Sequence, residues 1–286
     1  MGLDRQLLDG RLRHRHFSAS SCVPIVKKIY GYQWSEFNSD GKVNFGDLLT
    51  EIIFARLGYQ YCPYHEAPQG APLTLAIGTI LDPGRVNISG DYRTVVWGSG
   101  FRDGSSELRS FIQRGRLDVR AVRGPATAAE LGLPQETPFG DPALLLRNFY
   151  DAPKHGEPVA IPHWRSDRGR PATSPHCRYV SPLVPRSQVL AVALEIAGAS
   201  FVLTGSLHGA IIAHAYRIPW ALWKDRHELS SKWDDWASYL GFPVLQQGVE
   251  TFQEGTTWWD QVGHQSHLHP HSTEALLAAF PRDVAL

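Results

Sequence analysis

The stretch from Phe201 to Trp223 (FVLTGSLHGAIIAHAYRIPWALW) constrains the possible folds of this chain more than any other segment. An apolar, β-prone run at 201–203 leads into a glycine-containing loop, an amphipathic helical pattern and a second apolar run that opens at Pro219. Strand, tight loop, helix and strand in this order form the repeating unit of parallel sheets. The sequence therefore predicts an α/β protein.

His208 lies in this stretch where the predicted strand ends and the helix begins, between Gly205 and Gly209. Ligands of parallel α/β folds bind outside the carboxyl ends of the strands, and the N–H groups and dipole of a helix N-terminus favour an anion there. Two interpretations remain open. Either the glycines let an anionic ligand approach His208, or they shape the turn while His208 caps or packs.

Length and composition narrow the function classes. The 286 residues, 43% of them hydrophobic, can bury a large core and suit two domains of about 130 to 150 residues or one large domain. Lys plus Arg and Asp plus Glu both number 28, and a net charge of zero argues against a nucleic-acid-binding role. With no leader-like or membrane-spanning apolar run, we expect a soluble, cytoplasmic protein.

Cysteines and histidines give little reason to expect a metal site. Cys22, Cys62 and Cys177 lie far apart and predict neither a disulfide framework nor structural zinc. Four histidines crowd positions 264–271, but no carboxylate or cysteine completes a usual ligand set, so a solvated loop is expected instead.

The distribution of Pro, Gly and charge predicts the domain boundaries. Residues 1–24 are expected to be a loosely ordered lead-in, and 25–150 an N-terminal domain. The segment 151–158 (DAPKHGEP) is expected to be a linker, and 159–286 a C-terminal domain.

Two places in the first half could contact a sugar. Asn44 and Asp47 begin a predicted helix, where capping alone explains both; alternatively, Gly46 admits a substrate and Asn44 or Asp47 bonds a hydroxyl. Ser99 and Gly100 follow a predicted strand in a G-S-G sequence that could hold an anion or a sugar.

Arg123 follows the predicted strand 117–122 and precedes Gly124. A guanidinium at a strand end could clamp a carboxylate or a phosphate through two hydrogen bonds. The alternative is an ion pair at the strand end. Both interpretations place the Arg123 side chain at the ligand-binding edge of the sheet.

Six motifs occur in one order along the chain: N-F-G-D at 44–47, W-G-S-G at 97–100, V-R-G-P at 122–125, G-D-P-A-L-L-L at 140–146, T-G-S-L-H-G at 204–209 and S-K-W-D at 231–234. Together they resemble the polysaccharide pyruvyl transferase family over about residues 40–245. The resemblance implies two Rossmann-like domains facing each other across a cleft, as in GT-B glycosyltransferases. It further implies transfer of a pyruvyl group from phosphoenolpyruvate to two sugar hydroxyls, giving a cyclic ketal, with no metal or other cofactor.

The resemblance also suggests partners and roles. The implied acceptor is a glycan or lipid-linked saccharide of a surface polymer, so peripheral association with the inner face of the membrane is expected. His208 would protonate the methylene carbon of phosphoenolpyruvate, because imidazole titrates near working pH. Arg123 would bind the donor's negative charge.

The donor loop departs from the family pattern at one position. Many members have an arginine two residues before this histidine, where the present chain has Ser206. Ser206 and Gly209 are still expected to contact the donor. His163, Arg165 and Lys232, each at a predicted loop or helix start, are candidates to supply the missing charge.

Two other function classes fit the same pattern. A GT-B-type glycosyltransferase using a sugar nucleotide would share the fold. A non-catalytic glycan-binding protein would use clustered aromatic side chains, for which packing in the core is the alternative interpretation. The candidates are Trp220, Trp223, Trp233, Trp236, Trp258 and Trp259.

Overall fold

The computed structural model describes residues 26–34, 41–166, 177–224, 230–241, 248–267 and 273–286. These residues form a mixed α/β protein with two parallel sheets. The predicted α/β class is thereby confirmed, and the unit at 201–223 has the predicted order of strand, helix and strand.

Strands of the first half are β1 (Lys28–Gly31), β2 (Lys42–Asn44), β3 (Gln60–Pro63), β4 (Leu73–Leu75), β5 (Thr94–Ser99) and β6 (Leu117–Val122). Its helices are α1 (Phe45–Arg56), α2 (Pro83–Ile88), α3 (Ser105–Gln113), α4 (Pro125–Leu131) and α5 (Leu146–Phe149). Within the described residues, five strands form a parallel sheet in the order β3-β1-β4-β5-β6. Every residue of the apolar strand β5 is buried, as expected of a strand covered on both faces.

Strands of the second half are β7 (Val159–Ile161), β8 (Arg178–Tyr179), β9 (Leu183–Pro185), β10 (Val202–Thr204) and β11 (Trp220–Leu222). Its helices are α6 (Val189–Ala197), α7 (Leu207–Ala215), α8 (Ser230–Leu240), α9 (Phe252–Gln261) and α10 (Glu274–Ala278). The sheet order across the described strands is β11-β10-β7-β8, all parallel. Val202 of β10 lies between Trp220 of β11 and Val159 of β7, so β10 is an interior strand of this sheet and β11 is at its edge.

Strand pairing and the end of the described chain both tie the halves together. Strand β2 pairs antiparallel with β9, with Val43 opposite Val184. The end of the described chain returns to the first sheet: Lys28 and Leu286 exchange backbone hydrogen bonds of 2.8 and 2.9 Å. Trp97 Nε1 donates to the carbonyl of Leu276 at 2.8 Å. Residues 276–286, which the sequence analysis placed in a C-terminal domain (159–286), thus contact the first sheet.

One local interpretation of the sequence is wrong. The sequence of residues 180–182 (VSP) resembles a short strand, but these residues form the connection between β8 and β9, in which Ser181 Oγ accepts from the Leu183 N–H and donates to the Leu183 carbonyl. The segment after Asp141 is a 3₁₀ helix (Pro142–Leu145) that continues into α5. The expected lead-in at 1–24 lies outside the described residues, and so does Ser272, a residue type that suits the cap of the last helix.

Cys62 and Cys177 are buried free thiols, and Cys22 is not among the described residues. No helix in the described ranges has the length and apolar character required to cross a bilayer.

Candidate functional site

A cavity of about 220 Å³ lies at the carboxyl ends of strands from both sheets. Its lining residues directly follow β1, β4, β5, β6, β7 and β10, or belong to the starts of α1, α7 and α8. They are Trp34, Asn44, Asp47, Gly78, Thr79, Ile80, Arg102, Arg123, His163, Trp164, Arg165, Ser206, Leu207, His208 and Lys232. This edge of parallel sheets is where α/β proteins bind their ligands.

Arg123 reaches the cavity from the end of β6 although its side chain is fully buried. Its Nε donates to Asp235 Oδ2 at 2.9 Å, and its Nη1 donates to Thr79 Oγ1 at 2.8 Å. Among the described residues Nη2 has no hydrogen-bond partner. The ion pair expected at the strand end is thus present, and it holds the guanidinium at the cavity wall with Nη2 buried against Gly100.

His208 reaches the same cavity from the first turn of α7 and is 7% exposed. Its Nε2 faces Asp141 Oδ2 at 3.7 Å. A Cβ atom at Gly46 would overlap the His208 ring, so the ring packs directly on the backbone at the start of α1. Asp141 lies in the G-D-P motif, yet the sequence analysis did not single it out, because an aspartate before a proline in a turn carries no chemical signal by itself.

The start of α1 both caps the helix and lines the cavity. Asn44 caps the helix, accepting a 3.1 Å hydrogen bond from the Gly46 N–H, and still lines the cavity beside the buried Asp47. Gly46 differs from the sequence interpretation. The space above it is filled by His208 instead of being open to a substrate.

Three further predicted contact residues lie behind the cavity wall. Ser99 is fully buried and donates to the Gly78 carbonyl at 3.0 Å. Gly100 leaves room for the Arg123 guanidinium, with which a Cβ atom would overlap. Gly209 packs against Thr204. These positions shape the site and do not line it.

Basic residues line the cavity at two depths. Lys232 and His163 are 8% and 7% exposed, and Ser206 lines the wall between their elements. Arg165 and Arg102 are more exposed and lie nearer the opening. Arg102 was missed by the sequence analysis, although its place just after β5 could have suggested it.

Two tryptophans at the opening were also missed. The guanidinium of Arg102 lies 5.3 Å from the Trp34 ring centroid, and that of Arg165 lies 4.6 Å from the Trp164 ring. Trp34 and Trp164 follow β1 and β7 and are partly buried. The signal that could have found them is, again, a position just past a strand end.

The tryptophans of the last third are mostly core residues, so the packing interpretation is confirmed for them. Those that are less than 10% exposed are Trp220, Trp223, Trp233, Trp236 and Trp259. His267, in the histidine-rich segment, packs against Trp259 with ring centroids 4.8 Å apart. No group of residues suited to hold a metal ion occurs in the described part of the chain.

Comparison with known proteins adds three findings. Residues 76–222 match the family model described as polysaccharide pyruvyl transferase. The chain is 33% identical over 230 residues to the succinoglycan biosynthesis protein ExoV of Rhizobium meliloti (strain 1021), covering 76% of this chain and 69% of ExoV. It is also similar to the crystal structure of an uncharacterized protein, KP1_0663, from Klebsiella pneumoniae subsp. pneumoniae NTUH-K2044. That similarity has a TM-score of 0.48 at 15% identity over 75% of this chain and 88% of the other.

Proposed function

The chain belongs to the polysaccharide pyruvyl transferase family and is a pyruvyltransferase enzyme, and from this premise we propose that it uses phosphoenolpyruvate as donor and forms a ketal on two hydroxyls of one sugar. The observation that supports the proposal is that Arg123 and His208, which follow strands of different sheets, line one cavity. We further propose that the two sheets belong to Rossmann-like domains in a GT-B-like arrangement. Its support is the origin of the lining residues at the strand ends of both sheets.

The inner wall suits the donor. Phosphoenolpyruvate carries a carboxylate and a phosphate, which need cationic side chains and N–H donors. The Arg123 guanidinium contributes positive charge at the cavity wall, and the nearly buried Lys232 offers an ammonium in the same cavity. The start of α7 adds backbone N–H groups beside Ser206. We propose that Lys232, with His163 and Arg165, supplies the positive charge that Ser206 lacks.

The proposed chemistry begins with a proton transfer. Protonated His208 gives its proton to the methylene carbon of phosphoenolpyruvate, which becomes the methyl group and leaves a cationic centre at C2. The first sugar hydroxyl attacks C2, and its proton returns to His208. The C2–O bond to phosphate then breaks, the second hydroxyl attacks C2, and its proton leaves with the phosphate. No cofactor takes part in this sequence.

The outer part of the cavity suits the acceptor. Asn44 and Asp47 offer hydrogen bonds to hydroxyls, and Trp34 and Trp164 offer apolar faces at the opening. We propose as acceptor a glycan or lipid-linked saccharide in polysaccharide biosynthesis. A lipid-linked acceptor would bring the enzyme to the inner face of the membrane.

The test measures donor binding and turnover separately. Phosphoenolpyruvate should raise the unfolding temperature of the wild type but not of Arg123→Met, since a ligand that binds the folded state alone stabilises it. With methyl hexopyranosides as acceptors, the wild type should release phosphate and give a ketal methyl signal in the NMR spectrum. His208→Gln should give neither. His65→Gln, which removes a histidine outside the cavity, serves as the control. Stabilisation by UDP-glucose but not by phosphoenolpyruvate would instead indicate a glycosyltransferase.

A further inference from the structure

Within the described residues, Asp141 has a buried carboxylate of which one oxygen is hydrogen-bonded and the other is not. The residue is fully buried, and its Oδ1 accepts a 2.9 Å hydrogen bond from the Ala143 N–H at the start of the 3₁₀ helix. Across the described residues, neither Asp141 Oδ2 nor the facing His208 Nε2 has a hydrogen-bond partner. A buried carboxylate oxygen without a donor is costly. His208 Nε2 faces this oxygen at 3.7 Å, slightly longer than a hydrogen bond, so a small movement of either side chain would let an Nε2–H donate to it.

The two nitrogens of His208 lie in different surroundings. Nε2 is sealed from solvent on the Asp141 side. Nδ1 packs at Gly46, and the His208 side chain lines the cavity. Nδ1 is thus the nitrogen that a molecule in the cavity can reach.

Other charged or titratable groups line the same cavity as His208, among them Asp47 from α1, Arg123 from the end of β6, His163 after β7 and Lys232 from α8. Tyr239, also from α8, lies close enough to Asp141 to be influenced by its charge. Burial, and then the charge of Asp141, raise the pKa of Tyr239, so its hydroxyl keeps its proton and adds no second negative charge beside the carboxylate.

We propose that Asp141 is a positioning residue that holds the hydrogen of neutral His208 on Nε2 and leaves Nδ1 as the nitrogen that exchanges protons with the substrate. In the protonated ring both nitrogens carry hydrogen. When Nδ1–H gives its proton to the methylene carbon, the ring remains as the Nε2–H form, whose hydrogen faces Asp141. The transfer then ends in the tautomer that the protein holds. The catalytic part of this inference rests on the proposed function, whereas the tautomer itself does not.

The first experiment reads the tautomer directly, in the protein without substrate. Histidine labelled with ¹⁵N distinguishes Nδ1–H from Nε2–H in long-range ¹H–¹⁵N spectra, and the signals missing from His208→Gln assign the residue. At alkaline pH the wild type should show the Nε2–H form. The Nδ1–H form in the wild type would overturn the proposal, and this reading needs no variant at position 141.

Asp141→Asn provides the second reading. Its amide oxygen must accept from the Ala143 N–H, so its NH₂ group takes the place of Oδ2 and faces His208 Nε2. A donor there requires Nε2 to accept, so the ring should change to the Nδ1–H form. Asp82→Asn is the matched control, because Asp82 is a buried aspartate that caps α2 through the Arg85 N–H. It should leave the His208 signals unchanged.

Kinetics separate positioning from a merely structural role. Asp141→Asn should lower kcat by about a hundredfold or more, as expected when a general acid is held in the wrong tautomer. The KM for phosphoenolpyruvate should stay within about threefold of wild type, because Asp141 does not line the cavity. Equal losses in kcat and donor binding would contradict positioning. If the tautomers are as predicted but the wild type does not turn over phosphoenolpyruvate, the positioning role of Asp141 stands and the proposed reaction is wrong.

Discussion

Arg123 and Asp235 form a buried ion pair, 2.9 Å between Nε and Oδ2, that joins the end of β6 to helix α8. Asp235 also accepts 2.9 Å hydrogen bonds from the backbone N–H and the hydroxyl of Thr127 in α4. At Gly124 any Cβ atom would overlap the Asp235 carbonyl, so α8 packs directly on the backbone before α4. The Asp235 carboxylate therefore adds a buried contact between the two halves and fixes the guanidinium that lines the cavity.

This arrangement predicts a large stability loss when the cation alone is removed. Arg123→Met would leave Asp235 buried and charged with Thr127 as its remaining partner, at a cost of about 3 kcal/mol. Urea denaturation monitored by tryptophan fluorescence would measure the change. The double variant Arg123→Met, Asp235→Leu should recover part of that loss because no buried charge remains. Strictly additive losses in the double variant would contradict the coupling.

Gly46 predicts an effect on catalysis through His208. Gly46→Ala places a methyl group where the His208 ring lies, so the ring must move or α1 must shift. We expect kcat to fall by about tenfold to a hundredfold, since displacements of about 1 Å cost that much in a catalytic site. Gly84→Ala, on helix α2, is the control, because its Cβ atom would meet one neighbouring oxygen at 3.2 Å. Equal activity of Gly46→Ala and wild type would show that the ring position is not critical.

Sequence patterns predicted most of the strands and helices but fewer of the residues that line the cavity. The strand ends at Arg123 and His208 could be predicted because apolar runs followed by glycine mark them, and parallel topology brings such ends together. Asp141 could not be assigned a role, because its pairing with His208 depends on a contact 67 positions along the chain that the motif does not encode. The return of 276–286 to β1 was missed for the same reason: backbone pairing with Lys28 leaves no periodic signal.

Lys232 predicts a change in donor affinity. If its ammonium binds phosphoenolpyruvate, Lys232→Met should raise the KM for the donor by about ten- to a hundredfold, the range of a lost hydrogen bond between charged groups. Lys224→Met is the charge-matched control, since Lys224 is largely exposed and lies 3.7 Å from Glu250 at the surface. Steady-state kinetics at saturating acceptor would measure both. A similar KM in the two variants would exclude Lys232 from donor binding.

His267 predicts a pH dependence of stability that is separate from catalysis. Burial, and then the charge of Arg217, lower the pKa of His267 from 6.5 to about 4 in the folded protein. As pH falls below 6.5 the unfolded chain takes up a proton at this site while the folded protein does not, so the folded state loses stability until pH 4. Above 6.5 both states are neutral and the site contributes no pH dependence.

The corresponding experiment follows urea unfolding of wild type and His267→Gln between pH 7.5 and 4. Glutamine does not titrate, so the stability difference between the two proteins should shift in favour of the variant as pH falls from 6.5 to about 4. His264→Gln serves as the matched control, because His264 is a neighbouring, more exposed histidine in the same segment. A constant difference between wild type and His267→Gln across this range would mean that His267 takes up its proton equally in the folded and unfolded chains.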